Sequence, residues 1–212
     1  MFRLLLIAPP GGGKGTQGHQ LAVDYGVPHI STGELLRDHV ARSTSFGTRV
    51  KPYLDRGDLI PDDLVLGLVQ DRLINPVVLE GFVLEGFPRT LDQALTGYAW
   101  ASELGLTLSA VIHLRVSEAE LVRRLLERGR LTGRSDDTED TIRHRLALYR
   151  RSTDPLLDFY RDRQILVDVD GSGPIPEVTR RIREALAAKG LTPVNAGRAG
   201  RAGRSDGTTE SQ

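Results

Sequence analysis

The chain has 212 residues with 28 basic and 28 acidic side chains, so its formal net charge is zero and no global field draws it to nucleic acid or an anionic surface. Hydrophobic residues make up 39% and charged residues 26%, the balance of a globular chain with a real core. Cysteine is absent, which excludes disulfides and thiolate-held zinc; no apolar run approaches ~18 residues and the amino terminus lacks a signal core, so a cytoplasmic location with no membrane partner is expected.

In chain order, the first expected element is a strand over Arg3–Ala8, which empties into the loop PPGGGKGTQ and then a helix. Gly11, Gly12, Gly13 and Gly15 leave the backbone free to turn successive N–H groups around phosphate oxygens. Lys14 adds a point charge on a flexible stem, and Thr16 a hydroxyl suited to Mg²⁺. Only three of the 28 basic residues are lysines, so a lysine in this loop is not drawn from an abundant pool. Ala8 stands where such loops usually carry their first glycine.

Further strands are expected at Pro28–Ser31, Phe82–Glu85, Ala110–Leu114 and Ile165–Val169. Helical patterns lie at Thr90–Leu104, Glu118–Arg128, Thr138–Arg151 and Ile175–Lys189. Strand–helix alternation with fully apolar strands predicts an α/β fold, a parallel sheet covered by helices on both faces. In such sheets ligands sit beyond the carboxyl ends of the strands, where Gly11–Thr16, Ser31–Thr32 and Gly86–Arg89 all fall.

Two stretches interrupt the alternation. Gly33–Leu73 reads as helical without a strand, broken near Gly47, Pro52 and Gly57–Pro61. Gly129–Asp137 reads as a short polar loop between two helices. From residue 192 to 212 the chain turns to Gly, Arg, Ser and Thr and cannot bury enough apolar area to order itself. Its Arg198, Arg201 and Arg204 are too few for a nucleic-acid footprint, and no nucleic-acid partner is expected.

A phosphate loop alone indicates only a nucleoside triphosphate. HISTGELLRD (His29–Asp38) sets Thr32 at a strand end with Arg37 behind it, and LEGFPRTLDQA (Leu84–Ala94) sets Glu85, Arg89, Thr90 and Gln93 at another. RRLLERGRLTGRSDDTEDTIRHRL (Arg123–Leu146) carries Arg124, Arg128, Arg134 and Arg145 around the polar loop. With these motifs the chain resembles the adenylate kinases, within the nucleoside monophosphate kinase family, from about Arg3 to Leu186.

The resemblance implies a P-loop NTPase-type sheet over residues 1–191, with a helical AMP-binding insertion at about 31–60 and a short lid at about 128–138. It implies reversible phosphoryl transfer from ATP to AMP with Mg²⁺, by a chain that works as a monomer. Gly11, Gly12, Gly13, Lys14, Gly15 and Thr16 match the ATP phosphate cradle, and Arg124, Arg128 and Gly173 further ATP contacts. Arg37 and Arg89 match the clamp on the AMP phosphate. Thr32, Asp58, Leu59, Ile60, Gly86, Phe87, Pro88 and Gln93 match the AMP pocket, with Gln93 facing the adenine edge. Arg134 and Arg145 match arginines that reach AMP and the transferring group, so that Lys14, Arg89, Arg134 and Arg145 form the catalytic set. Thr16 and Glu85 match the residues that hold Mg²⁺ through water, although the family usually has Asp at Glu85. Asp136 and Asp137 match positions at the lid hinge.

This inventory suits the reaction. A monophosphate acceptor, with a second pKa of about 6, is already mostly dianionic at neutral pH and needs no strong base. What opposes transfer is the approach of two polyanions, which guanidinium groups and Mg²⁺ neutralise. Other readings stay open. Arg124 and Arg128, spaced i,i+4, could pair on the surface with Glu120 or Glu127, and Thr90 could simply start a helix. UMP/CMP kinases of the same family tend to carry a small residue at Thr32 and Asn at Thr90, which favours adenine here. A nucleotide-binding protein with weakened catalysis remains an alternative because of Ala8 and Glu85, whereas a GTPase would need an N-K-x-D motif that the sequence lacks.

Overall fold

Successive residues of a strand point to opposite faces, so the apolar run Leu4–Ile7 needs cover on both sides. In the computed structural model, which describes residues 1–193, that run lies in β1 (Phe2–Ile7) at the centre of a sheet. The other strands are β2 (His29–Ser31), β3 (Gly81–Glu85), β4 (Ala110–Arg115) and β5 (Leu166–Asp170). All pair in parallel, in the order β2-β3-β1-β4-β5. The expectation for residues 192–212 lies, from residue 194 on, outside the described residues.

The two faces carry separate cores. Leu5 and Ile7 of β1, with Phe82 and Leu84 of β3, belong to one apolar cluster, and Leu4, Leu6 and Val83 to the other. Each of these side chains is 5% exposed or less, and burial of a leucine or isoleucine contributes about 1.5–3 kcal/mol. The second cluster is closed by α1 (Lys14–Tyr25) and α10 (Ile175–Ala188) through Leu21, Tyr25, Ile182 and Leu186. The first is closed by α2 (Thr32–Ala41), α3 (Ser45–Arg56), α4 (Asp62–Leu73), α5 (Pro76–Leu79), α6 (Leu91–Glu103) and α9 (Asp154–Asp162). A small third cluster joins α7 (Glu118–Thr132) to α8 (Glu139–Ser152) through Leu121, Leu125, Ile142 and Leu146.

The α/β expectation holds, but two details change. Neither Gly47 nor Pro52 breaks the chain; both lie inside α3, and the break falls at Arg42–Thr44. Thr44 caps α3 by accepting the Gly47 N–H at 2.9 Å, and a Cβ on Gly47 would stand 2.1 Å from the His39 carbonyl oxygen. The glycine therefore lets α2 and α3 approach rather than ending a helix. Pro52 deprives the Thr48 carbonyl of a donor, but both residues are exposed and water can serve that oxygen. The other break, Gly57–Pro61, is present.

The second change concerns the polar loop, which is shorter than Gly129–Asp137 because α7 runs on to Thr132. There the Thr132 hydroxyl donates to the Arg128 carbonyl at 2.8 Å, and Gly133, at φ 63°, closes the helix with its N–H on Gly129 O.

Candidate active site

β1 has β3 on one side and β4 on the other, so its carboxyl end opens into the crevice where strand ends meet. The glycine loop leaves from there. Gly11 and Gly13 adopt left-handed backbone at φ 80° and 91°, which a side chain would strain. A Cβ on Gly12 would come within 2.7 Å of the Ala8 methyl and 3.0 Å of the Pro9 carbonyl oxygen. Gly13 then caps α1 without a side-chain bond, which leaves the first helical N–H groups available to an anion.

Lys14 Nζ donates to the carbonyls of Ala8 at 2.8 Å and Pro9 at 3.0 Å, so the loop's own backbone holds the ammonium over the crevice. Burial lowers its pKa to about 8; Glu85 opposes the fall, while Arg89, Arg145 and Arg128 add to it. The negative charge of a bound phosphate would favour the ammonium and so offset these contributions.

The crevice is a cleft of about 480 Å³ whose lining includes Lys14 and seven arginines. Three of those arginines are held by two aspartates of the polar loop. Arg128 binds Asp137 through two bonds at 2.7 and 2.8 Å, and Arg134 binds Asp136 through two at 2.9 and 2.8 Å. Arg145 donates to the Asp136 carbonyl at 2.7 Å and to Asp137 Oδ1 at 2.9 Å. The Asp137 side chain is fully buried. Despite burial, Arg134 and Arg145 hold Asp136 down at a pKa of about 2. Carboxylates thus keep the guanidinium forks oriented where phosphate oxygens can compete for them.

Arg37 lines the opposite wall with its pKa lowered to about 10, chiefly by burial and then by Arg134. Arg89 rises from the end of β3, its Nε bonded to the Gly86 carbonyl at 2.8 Å. It is open to water along the cleft yet hemmed in by protein on its other sides, which with Arg145 lowers its pKa. Arg124 bonds Glu120 at 2.7 Å and the Gly171 carbonyl at 3.1 Å, so the surface pairing weighed from the sequence and a place in the cleft coexist. Arg128 pairs with Asp137 rather than with a glutamate of its own helix.

Of the residues singled out in the sequence, Gly11–Thr16, Arg37, Glu85, Gly86, Arg89, Arg124, Arg128, Arg134, Arg145 and Gly173 line this one cleft. The others do not. Thr32 is buried and donates to the Glu85 carbonyl at 3.1 Å, and Ile60 and Phe87 pack in the core. Asp58 bonds Arg56 at 2.7 Å and His144 at 2.8 Å. Leu59 and Pro88 line a smaller pocket beside Arg89 and Arg145. Gln93 is buried behind Arg89, and Thr90 caps α6 by accepting its N–H at 3.2 Å, so the helix-start reading of Thr90 is correct. An apolar cavity of about 60 Å³ between α4 and α6 has no charged lining and is no place for phosphate.

The sequence did not point to Thr153, which donates to the Arg89 carbonyl at 2.9 Å, or to Asp62, which accepts from Gln93 at 2.6 Å. It also missed the bonds of Ser135 to Asp55 and His144 to Asp58, which join the polar loop and α8 to the α3 end. Only the T-x-x-Q spacing of Thr90 and Gln93, a capping pattern, was a usable local signal.

Magnesium commonly relies on one or two carboxylates together with substrate phosphates and water. The donor set here fits that style. Among the described residues no three His, Cys, Asp or Glu side chains cluster as a cage. Thr16 and the Glu85 carboxylate both line the cleft beside the phosphate loop, and among the described residues Glu85 has only His29 Nε2, 4.0 Å away, as an ion-pair neighbour.

A family model described as adenylate kinase matches residues 6–165. An adenylate kinase of Thermus thermophilus is 49% identical over 183 residues, which cover 86% of this chain and 96% of that protein. One from Thermobifida fusca is 46% identical over 188 residues, covering 89% and 100%. One from Clavibacter michiganensis is 46% identical over 204 residues, covering 94% and 100%.

Proposed function

This chain belongs to the adenylate kinase family, and on that premise we propose that the arginine-lined cleft is where its two nucleotides meet. The protein is an enzyme that transfers the terminal phosphoryl group of ATP to AMP, reversibly, to give two ADP. The observation that carries the assignment of the site is the convergence of Lys14 and seven arginines on the phosphate loop. Transfer between two phosphates calls for positioning and charge neutralisation, which is what such a cleft supplies.

The amides of Gly11–Thr16 and the Lys14 ammonium hold the ATP phosphates, with Arg124, Arg128 and the Gly173 backbone on the same nucleotide. Arg37 and Arg89 clamp the AMP phosphate, while Thr32, Asp58–Ile60, Gly86–Pro88 and Gln93 enclose its nucleoside. Arg134 and Arg145 exchange Asp136 and Asp137 for the transferring group. Thr16 and Glu85 hold Mg²⁺ through water, and the ion, when bound with ATP, offsets charge on the phosphate oxygens. The segment of about 31–60 acts as the AMP-binding insertion and that of about 128–138 as the lid. The Ser135–Asp55 bond at 3.1 Å, which joins the two segments across the cleft, supports their working as opposed jaws.

One phosphoanhydride bond is broken and an equivalent one made, so purified protein given only ADP and Mg²⁺ should yield equimolar ATP and AMP. ADP left intact, while a control kinase converts it, overturns the reading. Arg37→Ala should then raise the AMP KM more than the ATP KM; the reverse order would move Arg37 to the ATP side.

A further inference from the structure

The amide of Gln93, 4% exposed, is engaged at both ends. Its Oε1 accepts the Arg89 backbone N–H at 2.7 Å, and its Nε2 donates to Asp62 Oδ1 at 2.6 Å. These partners are not interchangeable, because a peptide N–H only donates and an ionised carboxylate only accepts. The amide oxygen and nitrogen are alike in shape, yet a flip would set donor against donor and acceptor against acceptor. One orientation is therefore imposed.

The donor half of this lock is rigid. Arg89 is held by its Nε on Gly86 O at 2.8 Å and by the Thr153 hydroxyl on its own carbonyl at 2.9 Å. Gln93 is anchored by its N–H on Thr90 Oγ1 at 3.2 Å. The acceptor half comes from the first residue of α4, 31 positions earlier in the chain.

We propose that Asp62 is a specificity-determining residue for the monophosphate's base, holding the Gln93 amide in the orientation that selects a 6-amino purine over a 6-oxo purine. The proposal rests on the reading of Gln93 as the residue that faces the base. An amide has two N–H hydrogens and two oxygen lone pairs, and Asp62 and Arg89 use one of each. One donor and one acceptor remain. Adenine offers an acceptor at N1 and a donor at its 6-amino group; hypoxanthine has nearly the same shape with the two reversed. A freely flipping amide could serve either base, whereas a locked one leaves the wrong base with unpaired buried groups.

A purely structural role for Asp62 has its own signature. Asp62 and Asp63 both sit in the first turn of α4, where negative charge favours the helix, but of the two side chains only Asp62 bonds Gln93. The test compares kcat/KM for AMP and for inosine monophosphate, with ATP and Mg²⁺, in the full-length wild type and in D62N, D62E, D63N and Q93A, each checked by thermal melting. Asparagine can present either its oxygen or its nitrogen, so D62N removes the acceptor half of the lock and leaves only the Arg89 N–H to oppose a flip. The AMP-to-inosine-monophosphate ratio should fall about tenfold, ~1.4 kcal/mol, mainly by gain on the inosine nucleotide. D62E should retain most of the ratio and D63N all of it. An unchanged ratio in D62N with a lowered one in Q93A overturns the proposal and leaves Gln93 facing the base. An unchanged ratio in both overturns the reading of Gln93 and the proposal with it. Equal losses on both nucleotides in D62N would reduce Asp62 to a helix-end charge and also overturn it.

Discussion

Replacing Lys14 by methionine separates what the lysine does for the reaction from what it does to the fold. Burial, with help from Arg89, Arg145 and Arg128, lowers the ammonium from an ordinary 10.5 to about 8. At pH 7 the group is charged both folded and unfolded, so the folded chain carries a charge it would be more stable without. At full burial the difference corresponds to about 3 kcal/mol. Water in the open cleft shields part of this, and Lys14→Met forfeits the bonds to the Ala8 and Pro9 carbonyls, so a net gain of about 1 kcal/mol is expected. For a chain of this length that raises the thermal midpoint by about 2–4 °C. Loss of a donor aimed at transferring charge should meanwhile lower kcat by ~10²–10³-fold. The pH dependence fixes the sign. A lysine with a depressed folded pKa regains stability as pH rises through the window from about 8 to 10.5, so the advantage of the variant should shrink across it. Melting curves at pH 7 and pH ~9.5, beside initial rates, make the comparison. A variant that melts below wild type at pH 7, or whose advantage grows with pH, refutes the reasoning.

Arg89→Ala removes a guanidinium whose bond within the protein is to the Gly86 carbonyl, so it should melt near wild type while kcat falls ~10²–10³-fold; unchanged turnover takes Arg89 out of the site. Asp137→Ala strands Arg128 beside a buried void, while Arg145 keeps Asp136, and should cost about 3 kcal/mol in denaturant unfolding, with a loss under ~0.5 kcal/mol counting against the ion network. Glu85→Asp should match or raise kcat and Glu85→Ala should lower it sharply with a weaker response to Mg²⁺, because a shift of about 1 Å can cost ~10²-fold when a group must be placed; equal titrations for all three proteins would free Glu85 of any part in holding the ion. Gly12→Ala should abolish turnover through its clash with Ala8, and partial rescue by an added Ala8→Gly would identify that contact as the cause.

Local rules account for what could be read early. Leu4–Ile7 is apolar on both faces, so a covered parallel sheet follows from period alone, and the structure shares those side chains between two cores. Gly11–Thr16 is legible because its chemistry lies in consecutive backbone atoms. Helix ends were less so. Gly47 has the look of a breaker, yet its use appears only when α2 passes 2.1 Å from where its Cβ would be. The α9 helix, opened by Asp154–Pro155, went unread because it follows α8 after a single residue, Thr153.

By itself the sequence determined the strands, the phosphate loop and the supply of arginines, since each depends on neighbours along the chain or on residue type. Tertiary structure alone decided how those arginines are held and which orientation the Gln93 amide takes. Arg134 and Asp136 pair within the loop itself, but the grip of Asp137 on both Arg128 and Arg145 exists only because α7 and α8 pack side by side. The Asp62–Gln93 bond likewise joins residues 31 apart. Hydrogen bonds are short and directional, so no local pattern can specify a partner that arrives only when two helices dock.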